Sequence, residues 1–472
     1  MNPESPNTVA APGEEPAGTL YEVHKKIHPK AVTGLFSNWR WAVVWITQAL
    51  FYGLCWMPWN GRQAVLLDVV QRKFYLFGLV FWPQDVFFLA VLLIISAYAL
   101  FLFTAVAGRL WCGYACPQTV YTEIFLWIEQ KIDGDRNARI KLDAAPLDGA
   151  KVAKRVLKYG VWILLSLWTG FTFVGYFTPI KDLVQEATTL SFGPWEWTWV
   201  VLYSALTFGF AGHLREQVCK YMCPYARFQG VMFDPDTLVI TYDEERGEPR
   251  GTRRKEVDYH AAGLGDCIDC DLCVAVCPTG IDIRKGLQYE CIGCAACVDV
   301  CDQVMDKMGY PRGLVRYSTE NALAKHWSMK DILGHIVRPR IIVYVVILIA
   351  ISVAWVWGLA TKPELRVDVI RDRMTLAREV EGGVIENVFR LQFMNVSETP
   401  RRYSVVVAGL DKIELMGDPI VELGAASNKN VTYQVRVPPE SANAGSHTIY
   451  FDIKSMSDDK ISVHEKAIFL MP

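Results

Sequence analysis

Thiols at fixed spacing hold most of the chemistry that this chain of 472 residues can perform. Eight of its 13 cysteines fall between positions 267 and 301. They read Cys267-x-x-Cys270-x-x-Cys273-x-x-x-Cys277-Pro278 and then Cys291-x-x-Cys294-x-x-Cys297-x-x-x-Cys301. Thiolates three residues apart can wrap one turn of backbone around three irons of a 4Fe-4S cube, while the fourth reaches across to a neighbouring cube. The spacing therefore predicts two clusters, one on Cys267, Cys270, Cys273 and Cys301 and the other on Cys291, Cys294, Cys297 and Cys277. Disulfide frameworks are less evenly spaced, and zinc modules seldom show three equally spaced ligands followed by Cys-Pro. Electron transfer is the chemistry such a stretch serves.

Four more cysteines form an internal repeat, Cys112-Gly113-Tyr114-Ala115-Cys116-Pro117 and Cys219-Lys220-Tyr221-Met222-Cys223-Pro224, each preceded by Gly-x-Leu at Gly108-Arg109-Leu110 and Gly212-His213-Leu214. Proline disfavours the α region for the residue before it and suits a first helical position, so Cys116 and Cys223 are expected at helix caps. The positive end of the following helix should ease loss of the thiol proton there. If the two turns are related by pseudo-two-fold symmetry, four thiols converge, and such a quartet selects a soft metal: cuprous copper, zinc or another iron-sulfur centre. Inert packed helix ends are the simpler alternative. His213 is a weaker candidate ligand, an interfacial hydrogen-bonded role being commoner. Cys55 reads as a small core residue.

These thiols need a membrane scaffold. The chain is 52% hydrophobic with 16 Trp, too apolar to be wholly soluble, and its net charge of −2 gives no sign of a nucleic-acid partner. Five stretches approach the roughly 20 apolar residues that cross a bilayer: 41–57, 86–106, 159–177, 195–210 and 341–359. The loop between the second and third is rich in Lys and Arg, from Arg109 to Lys158, whereas the next holds only Lys181. The positive-inside rule then puts the N-terminus and the cysteine-rich segment in the cytoplasm and everything after Leu359 outside. Residues 1–20 are too polar to order themselves, and no cleavable signal peptide precedes the spans. Alternating segments such as Asn387 to Phe393, Tyr403 to Val407, Asn430 to Val437 and His447 to Ile453 predict an immunoglobulin-type β-sandwich over 362–472. Its lack of cysteine suits an oxidising exterior. The expected fold is thus a multi-domain membrane protein with five divisions. These are a flexible cytoplasmic tail (1–40), an α-helical transmembrane bundle (41–213), a cytoplasmic segment (214–340) with an inserted two-cluster ferredoxin domain at about 258–310, a last span (341–359) and the C-terminal β-sandwich (362–472). Too few histidines lie on spans to grip a haem, and no nucleotide-binding motif occurs. The charged stretch Tyr242 to Arg250 is a solvated loop or a landing place for an electron donor.

With these elements together, the chain from about Leu20 onward resembles the CcoG family of cytochrome c oxidase accessory proteins, also called FixG or RdxA. The resemblance rests on Trp111-Cys112-Gly113-Tyr114-Ala115-Cys116-Pro117-Gln118-Thr119-Val120, the Asp243 to Arg250 stretch and Arg371-Asp372-Arg373. It implies a multi-pass protein of the bacterial inner membrane that reduces cupric to cuprous copper. A copper-exporting P-type ATPase would then carry the product for assembly of a cbb-type haem-copper oxidase, with electrons from an unidentified cytoplasmic donor. It also implies that Cys112, Cys116, Cys219 and Cys223 form the copper site. One departure from the pattern is Asp302, where proline would follow Cys301. Rival readings are a membrane ferredoxin-type electron carrier without a copper substrate, and a redox-sensing assembly scaffold.

Overall fold

The computed structural model describes residues 26–472 apart from 256, 257, 260, 262, 373–376 and 459. Of the tail expected over 1–40, residues 1–25 lie outside the described residues, as does Arg373, and the rest is helical from Leu35 rather than loose. Among the described residues, nine helices build the first half: α1 (Leu35–Gly53), α2 (Val86–Ala107), α3 (Leu110–Tyr114), α4 (Pro117–Asp133), α5 (Arg136–Ala144), α6 (Gly149–Val174), α7 (Ile180–Thr189), α8 (Pro194–Thr207) and α9 (Pro224–Met232). Among the described residues, three helices are long and apolar enough to cross a membrane: Pro83–Ala107, which contains α2, then Gly149–Val174 and Pro339–Ala360. The other two expected spans are helical but more polar or shorter. Helix α1 buries Ser37, Arg40 and Gln48, and α8 has 14 residues before the π-helical continuation Phe208–Leu214.

Small residues let these helices approach closely, as helices surrounded by lipid require. A Cβ on Gly170 of α6 would lie 2.3 Å from Ser204 Oγ and 2.6 Å from the Val200 carbonyl of α8. Nearby, Phe173 and Tyr203 stack at 4.1 Å. Helix α2 pairs with the last span through Trp355, whose indole N–H donates to the Phe88 carbonyl at 2.9 Å. Cys55 is fully buried with Val174, Ile180, Leu183 and Val200, the small core residue its position suggested.

The cysteine-rich segment is closed at its ends by a two-stranded ribbon, Val239–Tyr242 paired antiparallel with Val315–Ser318. Inside it the backbone curls twice in the same way. Asp269 and Asp271 in the first thiol run, and Gly293 and Ala295 at the corresponding places in the second, all have φ between 53° and 68°. The first run ends in the short helix Leu272–Ala275 and the second in Ala296–Met308. Asp299 of the longer helix accepts hydrogen bonds from the backbone N–H groups of Phe36 (3.1 Å) and Ser37 (2.7 Å). A carboxylate thus caps the N-terminus of α1 from another part of the chain, where the helix dipole favours negative charge.

After Ala360 the chain forms two packed antiparallel sheets. One runs in the order Glu414–Met416, Asn428–Val437, Ile385–Asn395, Leu365–Arg371, with Arg378–Glu379 also on Ile385–Asn395. The other runs Ile420–Leu423, Arg401–Ala408, Gly445–Ser455, Ser462–Met471. Inward alternation puts Phe389, Leu391, Phe393, Tyr433, Ile449, Phe451 and Phe469 in one core, all fully buried. Between α1 and α2 a small sheet, Val65–Asp68, Lys73–Leu76 and Leu79–Phe81, packs Leu66, Tyr75, Val80 and Trp82 against Met394 of the tail. Beside it the buried Asp85, at the head of α2, is paired with Lys362 (2.7 Å) and Arg366 (2.9 Å).

Candidate redox centre

Two cavities in the cysteine-rich segment are lined by thiols and apolar side chains, with Tyr242, Asp271 and Arg284 also on the first and Thr279 on the second. Cys267, Cys270, Cys273 and Cys301 line one, with Leu272, Val304, Met305, Leu314 and Val315. Cys277, Cys291, Cys294 and Cys297 line the other, with Cys273 at its edge and Ile281, Ile283 and Ile292 among its walls. Burial pushes the thiols of Cys301 and Cys291 up to about 12 and that of Cys273 to about 11, and it raises Cys294 and Cys297 as well. Buried thiols stay protonated unless a cation replaces their protons, so soft sulfur donors around an apolar hollow fit an iron-sulfur cube. Cys270 is exposed, whereas Cys267 and Cys294 are buried. The rim beside Cys270 is drawn together by Arg284, which donates to Asp269 (2.7 Å), Asp271 (2.6 Å) and Asp282 (2.8 Å).

The repeated turns occupy matching places. Cys116 is extended (φ −61°, ψ 127°) and caps α4, which starts at Pro117. Cys223 is extended (φ −80°, ψ 110°) and caps α9, which starts at Pro224. Cys112 lies on α3 and Cys219 in the π-helical turn Val218–Met222. The four are close enough to act on one another electrostatically. Cys112 and Cys219 also pack, as Cys297 does, against the group that contains Ile292 and Cys294 of the second thiol cavity. Gln229 of α9 accepts from Cys112 Sγ at 3.4 Å, and Thr119 donates to the Cys112 carbonyl at 2.5 Å. Among the described residues no three His, Cys, Asp or Glu side chains close up around a single ion. The expected easing of the Cys116 proton at its cap is corrected here. Burial raises Cys116 in spite of backbone N–H donors from Gln118 and Thr119, and burial pushes Cys112 and Cys219 up to about 12. Desolvation outweighs a helix terminus worth about 1 kcal/mol. His213 is packed among Tyr159, Trp162 and Phe208.

Sequence reasoning missed three supports of this site. Arg109 donates to the carbonyls of Tyr289 and Ala226 and is 5% exposed. Its signal was present, since Arg109 stands in the Gly-x-Leu element that opens the first repeat. Gly113 and Gly293 meet backbone to backbone, and a Cβ on Gly113 would fall 2.8 Å from Gly293 carbonyl atoms. A buried ion network also steadies the turn before Cys219. Glu129 pairs with Arg215 (2.6 Å) and Lys158 (3.4 Å), and Lys158 also with Asp133 (2.6 Å). Burial alone would raise the Glu129 carboxyl, but Arg215 and Lys158 hold it down at about 2. Its contribution is therefore present above the ordinary carboxylate value of about 4.3 and is lost as pH falls toward 2. Glu129→Ala should cost about 3–5 kcal/mol by stranding the buried Arg215, since Lys158 keeps Asp133. Thermal unfolding of the detergent-solubilised chain at neutral pH checks this, and a loss below about 1 kcal/mol would refute it.

Three long apolar helices joined to a segment with paired thiol cavities define a membrane iron-sulfur protein. Family models agree, matching a 4Fe-4S dicluster domain over residues 214–320, a 4Fe-4S binding domain over 89–134 and the IG-like fold at the C-terminal of FixG over 355–472. The chain is 39% identical over 424 residues to the nitrogen fixation protein FixG of Rhizobium meliloti, covering 83% of this chain and 81% of that one. It is 40% identical over 398 residues to Protein RdxA of Cereibacter sphaeroides (83% and 84% covered) and 36% identical over 464 residues to Protein RdxB of the same organism (96% and 97% covered). The chain belongs to the FixG/RdxA family and is an iron-sulfur electron-transfer protein of that type.

Proposed function

We propose that this protein is a membrane-bound cupric reductase. Its electrons would come from a cytoplasmic one-electron donor and its substrate copper would sit at Cys112, Cys116, Cys219 and Cys223. On this reading Cys267, Cys270, Cys273 and Cys301 hold one 4Fe-4S cluster, and Cys277, Cys291, Cys294 and Cys297 hold the other. When bound, such clusters supply single electrons, which matches the one-electron step from cupric to cuprous ion. The observation that carries the reading is the packing of Cys112 and Cys219 against the buried group that contains Ile292 and Cys294 of the second thiol cavity. A soft quartet favours the cuprous product over the cupric substrate, which helps drive the reduction. In the test, protein reduced without oxygen is titrated with cupric ion in the presence of a cuprous chelator. One cuprous ion should form per electron stored, and re-oxidation without cuprous formation would defeat the proposal.

A second reading has its own support. The 4Fe-4S binding domain match over 89–134 contains only two cysteines, Cys112 and Cys116. That favours a quartet that holds a further iron-sulfur centre in an electron carrier without a copper substrate, and iron analysis of quartet variants separates the two.

The proposed topology has five spans, counting α1 and α8 with its π-helical continuation. The N-terminus and thiol cavities face the cytoplasm and the β-sandwich faces the periplasm. The basic loop that includes α5 supports this orientation. Protease outside spheroplasts should trim only the tail domain, and a protected C-terminus would overturn the scheme. The family resemblance extends the proposal to a copper-exporting P-type ATPase and cbb-type oxidase assembly as destinations of the copper.

A further inference from the structure

Arg109 is a buried cation, 5% exposed. Among the described residues no carboxylate pairs with it, and its Nε has no hydrogen-bond partner. Arg40, a buried arginine beside Cys294, is by contrast neutralised by Glu123 at 3.4 Å. Leaving a guanidinium buried and unpaired is unfavourable unless something nearby brings negative charge. The candidates are sulfur: Arg109 caps the helix that carries Cys112, and the carbonyls it holds lie two residues before Cys291 and three after Cys223.

The same residue is a mechanical tie. Its two terminal nitrogens donate to the Tyr289 carbonyl, two residues before Cys291, and to the Ala226 carbonyl, three residues after Cys223. Its own carbonyl accepts from Gly113 N–H at 3.1 Å, in the turn that carries Cys112. Gly293, at φ 68°, lies against this turn so tightly that a Cβ there would be 3.2 Å from the Arg109 carbonyl carbon. Tyr317 fixes the other side by donating to the Gly293 carbonyl at 2.7 Å.

We infer that Arg109 is a positioning residue that joins the two redox sites. It clamps the Cys291–Cys294 loop onto the Cys112 turn across the Gly113–Gly293 contact, and its unpaired charge favours the electron-rich state on both sides. This rests on the cupric reductase reading only for the identity of the final acceptor. One electron leaves the cytoplasmic donor and one arrives at cupric ion, giving cuprous ion, and Arg109 neither gains nor loses one.

The test uses the full-length purified protein with Arg109→Gln and Arg109→Lys. Redox titration without copper is followed by electron paramagnetic resonance. In Arg109→Gln the reduced-to-oxidised ratio of one centre at fixed solution potential should fall about tenfold, about 59 mV for a one-electron couple. Arg109→Lys keeps the charge but cannot make the forked pair of bonds. It should hold the potential within about threefold, while re-oxidation of the reduced protein by cupric ion slows about tenfold. Unchanged potentials in Arg109→Gln would overturn the electrostatic joint, and so would an equal fall in Arg109→Lys. Re-oxidation of Arg109→Lys at the wild-type rate would overturn the mechanical one. Should Arg109→Gln fail to assemble, the two Arg109→Lys readouts decide. If wild-type protein yields no cuprous ion, the copper reading fails while the potentials still judge Arg109.

Discussion

Replacing Cys112 and Cys116 together by serine should abolish copper binding and cupric reduction while leaving the visible and paramagnetic spectra of the ferredoxin-like segment intact. The same should hold for Cys219 with Cys223. Each pair supplies half of the proposed donor set, and hard serine oxygens do not replace thiolates around cuprous ion. The two turns arise from α3 and α4 and from the π-helical turn and α9, whereas the eight other thiols belong to the segment closed by Val239–Tyr242 and Val315–Ser318. The site is therefore separable by mutation although it is packed against the second cavity. The readouts are copper stoichiometry after anaerobic loading, chelated cuprous ion, and iron per chain. If iron falls in step with copper, the quartet holds an iron-sulfur centre and the electron-carrier reading takes over.

Cys294→Ala should lower iron from about eight to about four per chain and broaden the signal of what remains. Cys294 is wholly buried among Val276, Ile292, Ala296 and Val300, so no solvent ligand can easily replace it. The surviving centre is expected to change because Cys277 and Cys301 stand across from their own runs, and Cys273 touches both cavities. Cys270→Ala offers the contrast, since Cys270 is exposed and water can reach the vacated place. Iron and sulfide analysis with low-temperature paramagnetic resonance gives the answer. Full iron in Cys294→Ala would remove Cys294 from the proposed ligand set.

Local periodicity made much of this molecule legible. The sandwich could be read because its strands alternate, as in Asn387 to Phe393, and the apolar runs of α2 and Pro339–Ala360 are long enough to declare themselves. The caps at Cys116 and Cys223 followed from the proline after each. Tertiary contacts were not readable in this way. Nothing near Gly34 announces that Asp299, far along the chain, will cap α1, and nothing near Gly113 announces Gly293. The proton affinity of Cys116 was misjudged because a helix terminus is visible in sequence and burial is not. Helix α1, with Ser37, Arg40 and Gln48 buried, and the short α8 show the limit of hydropathy, since neither is among the three helices long and apolar enough to cross a membrane.

The ion triad at Asp85 changes what the C-terminal domain can do. A β-sandwich on a free linker would hang like a float on a string, and nothing that seized it would be felt inside. Here Lys362 and Arg366, at the foot of the sandwich, grip a carboxylate at the head of α2. Met394 is wedged beside it among Leu66, Tyr75, Val80 and Trp82. Helix α2 is a rod of 22 residues, about 33 Å long. It ends one residue short of Gly108-Arg109, where the two sulfur sites meet. On the proposed topology, torque on the sandwich would reach one end of a rigid shaft whose other end leads directly into the Gly108-Arg109 turn.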